Sequence, residues 1–96
     1  MPLITNSNQT LAPGAAGNWW TPGASVTVVT CDIDTAAMVK IETRRGSGDT
    51  AAKPVLTADQ RTAVLRGPSS TLLQVVAGRD YRYVGMEGSA TVAAFE

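Results

Sequence analysis

The residues able to do chemistry are few, and their types and spacing argue against a reaction. The chain has no histidine, so the commonest general base and metal ligand is missing. One cysteine, Cys31, without histidine partners cannot build an ordinary zinc site. Asp32 and Asp34 flank Ile33, so in an extended chain both carboxylates project the same way. A Ca²⁺ ion asks for about six to eight oxygens, and no third acid lies near in sequence. The preference of Asp for turns gives the pair a structural reading instead. "RRGSGD" (Arg44 to Asp49) has the glycines of a phosphate-cradling loop but neither its lysine nor a helix directly after it, so it reads as a loop between strands. Gly78-Arg79-Asp80 reads as a hairpin turn. Ser69, Ser70 and Thr71 have no base to activate them. No catalytic set, metal site or cofactor is therefore expected, and the chain is expected not to be an enzyme.

Trp19-Trp20 is the most informative pair. Neighbours in an extended segment point to opposite sides, so one indole can cover a core while the other meets solvent or a partner, where Trp and Arg lead the binding hot spots. The competing structural reading folds both rings onto the core. A sugar-stacking platform is a third reading. It needs further aromatics, and only Tyr81, Tyr83 and Phe95 remain.

The elements that would carry these residues are short strands. Residues 1–23 form an extended N-terminal arm rich in Asn, Gly, Pro and Ala, with turns at Pro13-Gly14 and Pro22-Gly23 and short strands at most near Leu3-Ile4 and Gln9–Leu11. From residue 24 to 96 alternation is persistent. In Ala24–Cys31, Val26 and Val28 oppose Val29 and Cys31, so both faces are candidates for burial. In Ala37–Arg44, Ala37, Val39 and Ile41 oppose Met38, Lys40, Glu42 and Arg44, the pattern of a half-buried strand. Further strands fall at Pro54–Leu56 (an edge, since proline is tolerated there), Arg61–Arg66, Ser70–Ala77, Tyr81–Val84 and Ala90–Phe95. Turn signals recur at roughly 8–12-residue spacing, among them Asp32–Asp34, Gly46–Asp49 and Gly85–Ser89. The expectation is an all-β fold, a small β-sandwich or jelly roll of six to eight short antiparallel strands, residues 24–96, preceded by the arm.

Ninety-six residues make one small domain, whose folding buries roughly 64% of the surface of the chain. Such a thin core favours association with copies or partners. Eight basic residues balance eight acidic ones, and no run of five like charges occurs, so neither nucleic acid nor a membrane surface is an expected partner. No apolar run approaches a membrane span, and the first ten residues lack the pattern of a signal peptide. Cys31, alone, forms no intrachain disulfide and reads as a buried filler.

The stretches "VTVVTCDIDTAAMVKIETRRGSGDTAAKPVLTA" and "STLLQVVAGRDYRYVGMEGSATVAAF" together resemble the small β-sandwich modules of tailed-bacteriophage virions. The shared pattern is a strand, a small-residue turn, a strand with "V-x-I", a Gly/Ser/Asp turn, a "P-V" edge and a last strand of small and β-branched residues. The Trp19-Trp20 arm departs from it. The resemblance implies a structural virion protein, most simply a capsid decoration (cement) protein that binds the major capsid protein or another virion protein on the particle surface. It would be made in the host cytoplasm and act as a homo-oligomer, a trimer being one option. In that setting the arm would add as a strand to a partner. Leu3, Ile4, Leu11, Trp19 and Trp20 would be its contacts, and Arg44, Arg45, Arg61 and Arg66 a polar rim. A carbohydrate- or receptor-binding module of a tail or head fibre is the alternative.

Overall fold

The computed structural model describes residues 2–57 and 59–96. Among them there is no helix. Eight strands form two antiparallel sheets: β1 (Gln9–Leu11), β2 (Val28–Ile33), β3 (Met38–Arg44), β4 (Lys53–Pro54), β5 (Val64–Arg66), β6 (Ser69–Gln74), β7 (Asp80–Glu87) and β8 (Ala90–Phe95). The first sheet runs β1-β8-β2-β6. In the second, β3 is central, with β7 along one edge and β4 and β5 sharing the other. The all-β expectation holds, in the form of a small sandwich.

Alternation decides which side of each strand faces the other sheet. In β3, Val39 and Ile41 are fully buried, while Lys40, Glu42 and Arg44 face out. In β2 only one side is covered: Val29, Cys31 and Ile33 face inward and Val28 is exposed, so the expected two-sided burial does not occur. Nor does the expected turn at Asp32–Asp34 begin at Asp32. The strand continues through it to Ile33, because Asp32 projects outward and accepts a hydrogen bond from Ser70 Oγ (2.5 Å) while Ile33 fills the core. Likewise β7 runs on through Gly85 to Glu87, and the reversal into β8 falls on Gly88-Ser89, where Gly88 takes φ +75°.

The N-terminal segment lies along the sandwich of its own chain. Leu3 bridges Phe95, and Ile4 N–H donates to the Ala94 carbonyl (2.9 Å). β1 then pairs with β8, Gln9 opposite Val92. Beyond Pro13 the chain crosses to the second sheet and covers the outer edge of β7: Gly17 N–H donates to Tyr83 O (2.7 Å), and Trp20 and Tyr81 exchange bonds of 2.8 and 2.9 Å. Gly85 is a glycine because the arm passes so close that a Cβ there would strike the Ala12 carbonyl. Ile4, Leu11 and Trp20 join Val29, Cys31, Ile33, Val39, Ile41, Tyr81, Tyr83, Val92 and Ala94 in one core. A buried serine fixes the start of this path. Ser7 Oγ donates to Ile4 O (2.7 Å) and accepts from Ala94 N–H (3.0 Å).

Candidate protein-binding face

Because Trp20 is laddered to Tyr81, the alternation of an extended backbone sends its neighbour the other way. Trp20 is 1% exposed, stacks on Tyr81 and meets Tyr83 at a tilt, with ring centroids 5.5 and 5.8 Å away. Trp19 emerges, half-buried, on the outer face of the second sheet. The guanidinium carbons of Arg44 and Arg82 each lie 4.4 Å from its ring centroid, within cation–π range.

Those two cations are held in place from below. Arg82 stands opposite Glu42 in the β3–β7 register and donates to its Oε1 from Nε (2.8 Å) and Nη2 (2.6 Å). Arg44 Nε donates to Asp80 Oδ2 (2.8 Å), and the other oxygen of that buried carboxylate accepts from Thr21 Oγ1 (2.7 Å). Thr43 Oγ1 donates to Asp80 O (2.9 Å) and accepts from Arg79 Nε (3.2 Å). Charge-assisted bonds between half-buried groups are shorter and stronger than neutral ones, so the indole rests on a fixed polar floor. Lys40, Arg44, Arg79 and Arg82 face Glu42 and Asp80, a formal excess of two positive charges beside an aromatic ring. Such a surface suits an acidic or aromatic partner group, through bidentate Arg contacts and stacking.

Of the residues expected at a partner contact, the fold brings Trp19 and Arg44 together and separates the rest. Ile4, Leu11 and Trp20 are core residues here, because the hydrogen bonds of the arm to β7 and β8 turn them inward, and Leu3 lies exposed on the outer face of the other sheet. The four arginines form no common rim. Arg45 sits in the exposed loop after β3, 3.6 Å from Asp49. The Arg45 and Ala51 backbone N–H groups, bonded to Asp49, hold its carboxyl below the usual range. Arg61 lies in the loop between β4 and β5, and Arg66, at the end of β5, lines a shallow depression of about 220 Å³ with Met38, Gly67 and Glu87. Arg82, Arg79 and Asp80 are the members that sequence reading missed. The signal was present: with Tyr81 and Tyr83 facing in, Arg82 must face out.

Elsewhere several reactive groups are buried or hydrogen-bonded. Burial pushes the Cys31 thiol up to about 11, and Tyr83, whose phenol donates to Ala93 O (2.7 Å), is shifted upward for the same reason. Ser69 Oγ donates to Arg66 O and Ser70 Oγ to Asp32. No group of three His, Cys, Asp or Glu residues placed to hold a metal ion occurs among the described residues.

Fold and face together define a small all-β sandwich that displays a tryptophan braced by two arginine–carboxylate pairs. No protein-family model, curated protein or solved structure matches the chain.

Proposed function

We propose that the chain is a non-enzymatic assembly protein of a tailed-phage particle, a capsid decoration protein that docks on the major capsid protein through the Trp19 face. One observation carries the binding role: a partly exposed tryptophan held by Arg44 and Arg82, each already ion-paired, so the anchor is ordered before a partner arrives. Preorganisation of this kind lowers the entropy cost of association, and Trp and Arg are the residues on which interface energy concentrates. The assignment to a virion rests on the sequence pattern described above. Docking by strand addition from the arm is replaced in this reading, because the arm is spent on β7 and β8 of its own chain.

Mass spectrometry of particles purified from cells that make the chain tests the location, and co-sedimentation of added chain with bare heads tests the face. Trp19→Ala should lower head occupancy at least about tenfold, as expected of a hot-spot residue, with the fold intact by circular dichroism. Absence from particles, or unchanged occupancy, refutes the reading. Partial exposure of Trp19 also favours a second reading, a carbohydrate- or receptor-binding module of a fibre. Two guanidinium groups already engage the ring that a sugar would stack on, which counts against it. Glycan-array binding abolished by Trp19→Ala would establish it instead.

A further inference from the structure

The edges of the two sheets are treated differently. An open edge strand invites another chain to pair with it, and proteins blunt such edges with shortness, Pro, Lys or a covering segment. β1 is three residues long, β4 is Lys53–Pro54, β5 is short and ends in Arg66, and the outer edge of β7 is covered by residues 14–20. β6 has none of these protections. Its six residues, Ser-Ser-Thr-Leu-Leu-Gln, contain no charge and no proline. They pair with β2 in unbroken register, and among the described residues the other side of the strand has no partner.

The groups that this edge offers can be identified. Val75 N–H donates to Thr27 O (2.9 Å), in line with the register that sets Leu73 opposite Val29. By antiparallel alternation Thr71 and Leu73 therefore also direct their backbone groups toward β2, and Ser70, Leu72 and Gln74 direct theirs outward. The run is closed at both ends. Pro68 has no N–H, while Val76 N–H is taken by Tyr81 Oη (2.9 Å) and Val76 O accepts from Arg79 N–H (3.3 Å). Three outward residues remain, and they are symmetric about Leu72.

We propose that two copies of this chain join edge to edge through β6, antiparallel about a two-fold axis at Leu72, so that the first sheet becomes continuous through both. Leu72 then faces the partner's Leu72, and Ser70 faces the partner's Gln74. Every outward N–H meets an outward carbonyl, and Val76 meets the partner's Pro68. The side chains fit the same operator. Leu72 is 72% exposed and Val76 63%, the two most exposed large apolar residues described. Leu72 also terminates a cross-strand row, Leu3–Phe95–Thr30–Leu72, which the axis would extend into its own copy. The nearest ionic group on this face, Asp32, is turned to Ser70 Oγ, so two such surfaces approach without like charges in opposition. An uncharged edge whose free groups complement themselves fits a second copy better than a charged partner. The contact is independent of the Trp19 face and is decided on the isolated chain.

Sedimentation equilibrium of the full chain reads it directly. A species of twice the 10.0 kDa chain mass should appear as the concentration is raised. Leu72→Lys places a charge at the axis, and Gln74→Pro removes an outward N–H while leaving the β2 ladder whole. Each should weaken dimerisation at least tenfold, with thermal melts confirming that the variants fold. Leu56→Lys, on an exposed residue of the segment between β4 and β5, should leave it unchanged. In Leu72→Cys, mild oxidation should yield a covalent dimer on a non-reducing gel, since Cys31 is buried. A chain that stays monomeric at millimolar concentration, a trimer, a heterologous partner bound at β6 in place of a copy, or a dimer indifferent to both edge substitutions overturns the proposal.

Discussion

Replacing Trp20 by alanine tests whether the arm belongs to the body of the protein. The side chain is 1% exposed and packs its ring against two tyrosines, so its removal deletes apolar contacts from both and leaves a cavity in the core beside β7. Truncations of this size cost about 3–5 kcal/mol. A 96-residue domain has about 5–14 kcal/mol in total, at roughly 0.05–0.15 kcal/mol per residue. The variant should therefore lose a large share of its stability and melt about 15–30 °C lower. The adjacent residue supplies the comparison. Trp19→Ala loses two partly solvated cation–π contacts, about 0.5–1 kcal/mol each, and leaves both arginines paired with their carboxylates. Trp20→Phe should cost less than alanine. It keeps a ring against Tyr81 and Tyr83 and removes an indole N–H that is buried without a hydrogen-bond partner. Urea titrations followed by near-UV circular dichroism measure all three. The Trp19→Ala protein, left with Trp20 alone, should also show the more blue-shifted emission. A cost below about 1 kcal/mol for Trp20→Ala, or the reverse ranking of the two tryptophans, would refute the packing described here.

Three other outcomes follow from the same contacts. Ser7→Ala should destabilise by about 1–3 kcal/mol in chemical denaturation, because it strands the buried Ala94 N–H that the hydroxyl now accepts. Deleting residues 2–18 should abolish the cooperative transition, since it removes Ile4, Leu11 and β1 and uncovers the edges of β7 and β8. Stability should also fall as pH rises from 9 toward 11. The ordinary thiol value of 9.0 is raised to about 11 in Cys31, so the folded state keeps its proton where the unfolded chain has lost it. That contribution, up to about 3 kcal/mol, is complete below pH 9 and lost through this window. The upward shift of Tyr83 adds in the same direction from the ordinary phenol value of 10.0 upward, so it overlaps the upper half of this window. Urea midpoints between pH 8 and 10, where Cys31→Ala should flatten the profile before the phenol contributes, measure it.

Much of the architecture was legible because it is local. The alternation of Ala37, Val39 and Ile41 is a period-two pattern that needs no knowledge of a partner strand, and the same holds for the opposed tryptophans. What escaped depends on pairing across long separations. Asp32 looks like a turn residue until Ser70, 38 positions away, satisfies its carboxylate within a ladder. In Ser70–Ala77 the apolar Leu73 and Val75 oppose the equally apolar Leu72 and Val76, and only the register places the second pair on the uncovered side of a terminal strand. The arm reads as free because its hydrogen-bond partners lie at Tyr81–Gly85 and Ala90–Ala94, and nothing in its own composition announces them. The Trp19 site was half legible for a related reason. Trp and Arg44 are conspicuous residue types, but only the register of β3 with β7 brings Arg82 and Asp80 beneath the ring.

Glu96 N–H donates to Pro2 O (3.0 Å), and Leu3 lies beside Phe95, so residues separated by more than ninety positions are partners. During translation Ile4, Leu11 and Trp20 wait unsheltered until β7 and β8 have left the ribosome, and pairing at that sequence distance is slow. Until those two strands pair, the uncovered core residues are open to wrong association, and the docking of β7 and β8 is itself the event that closes the fold.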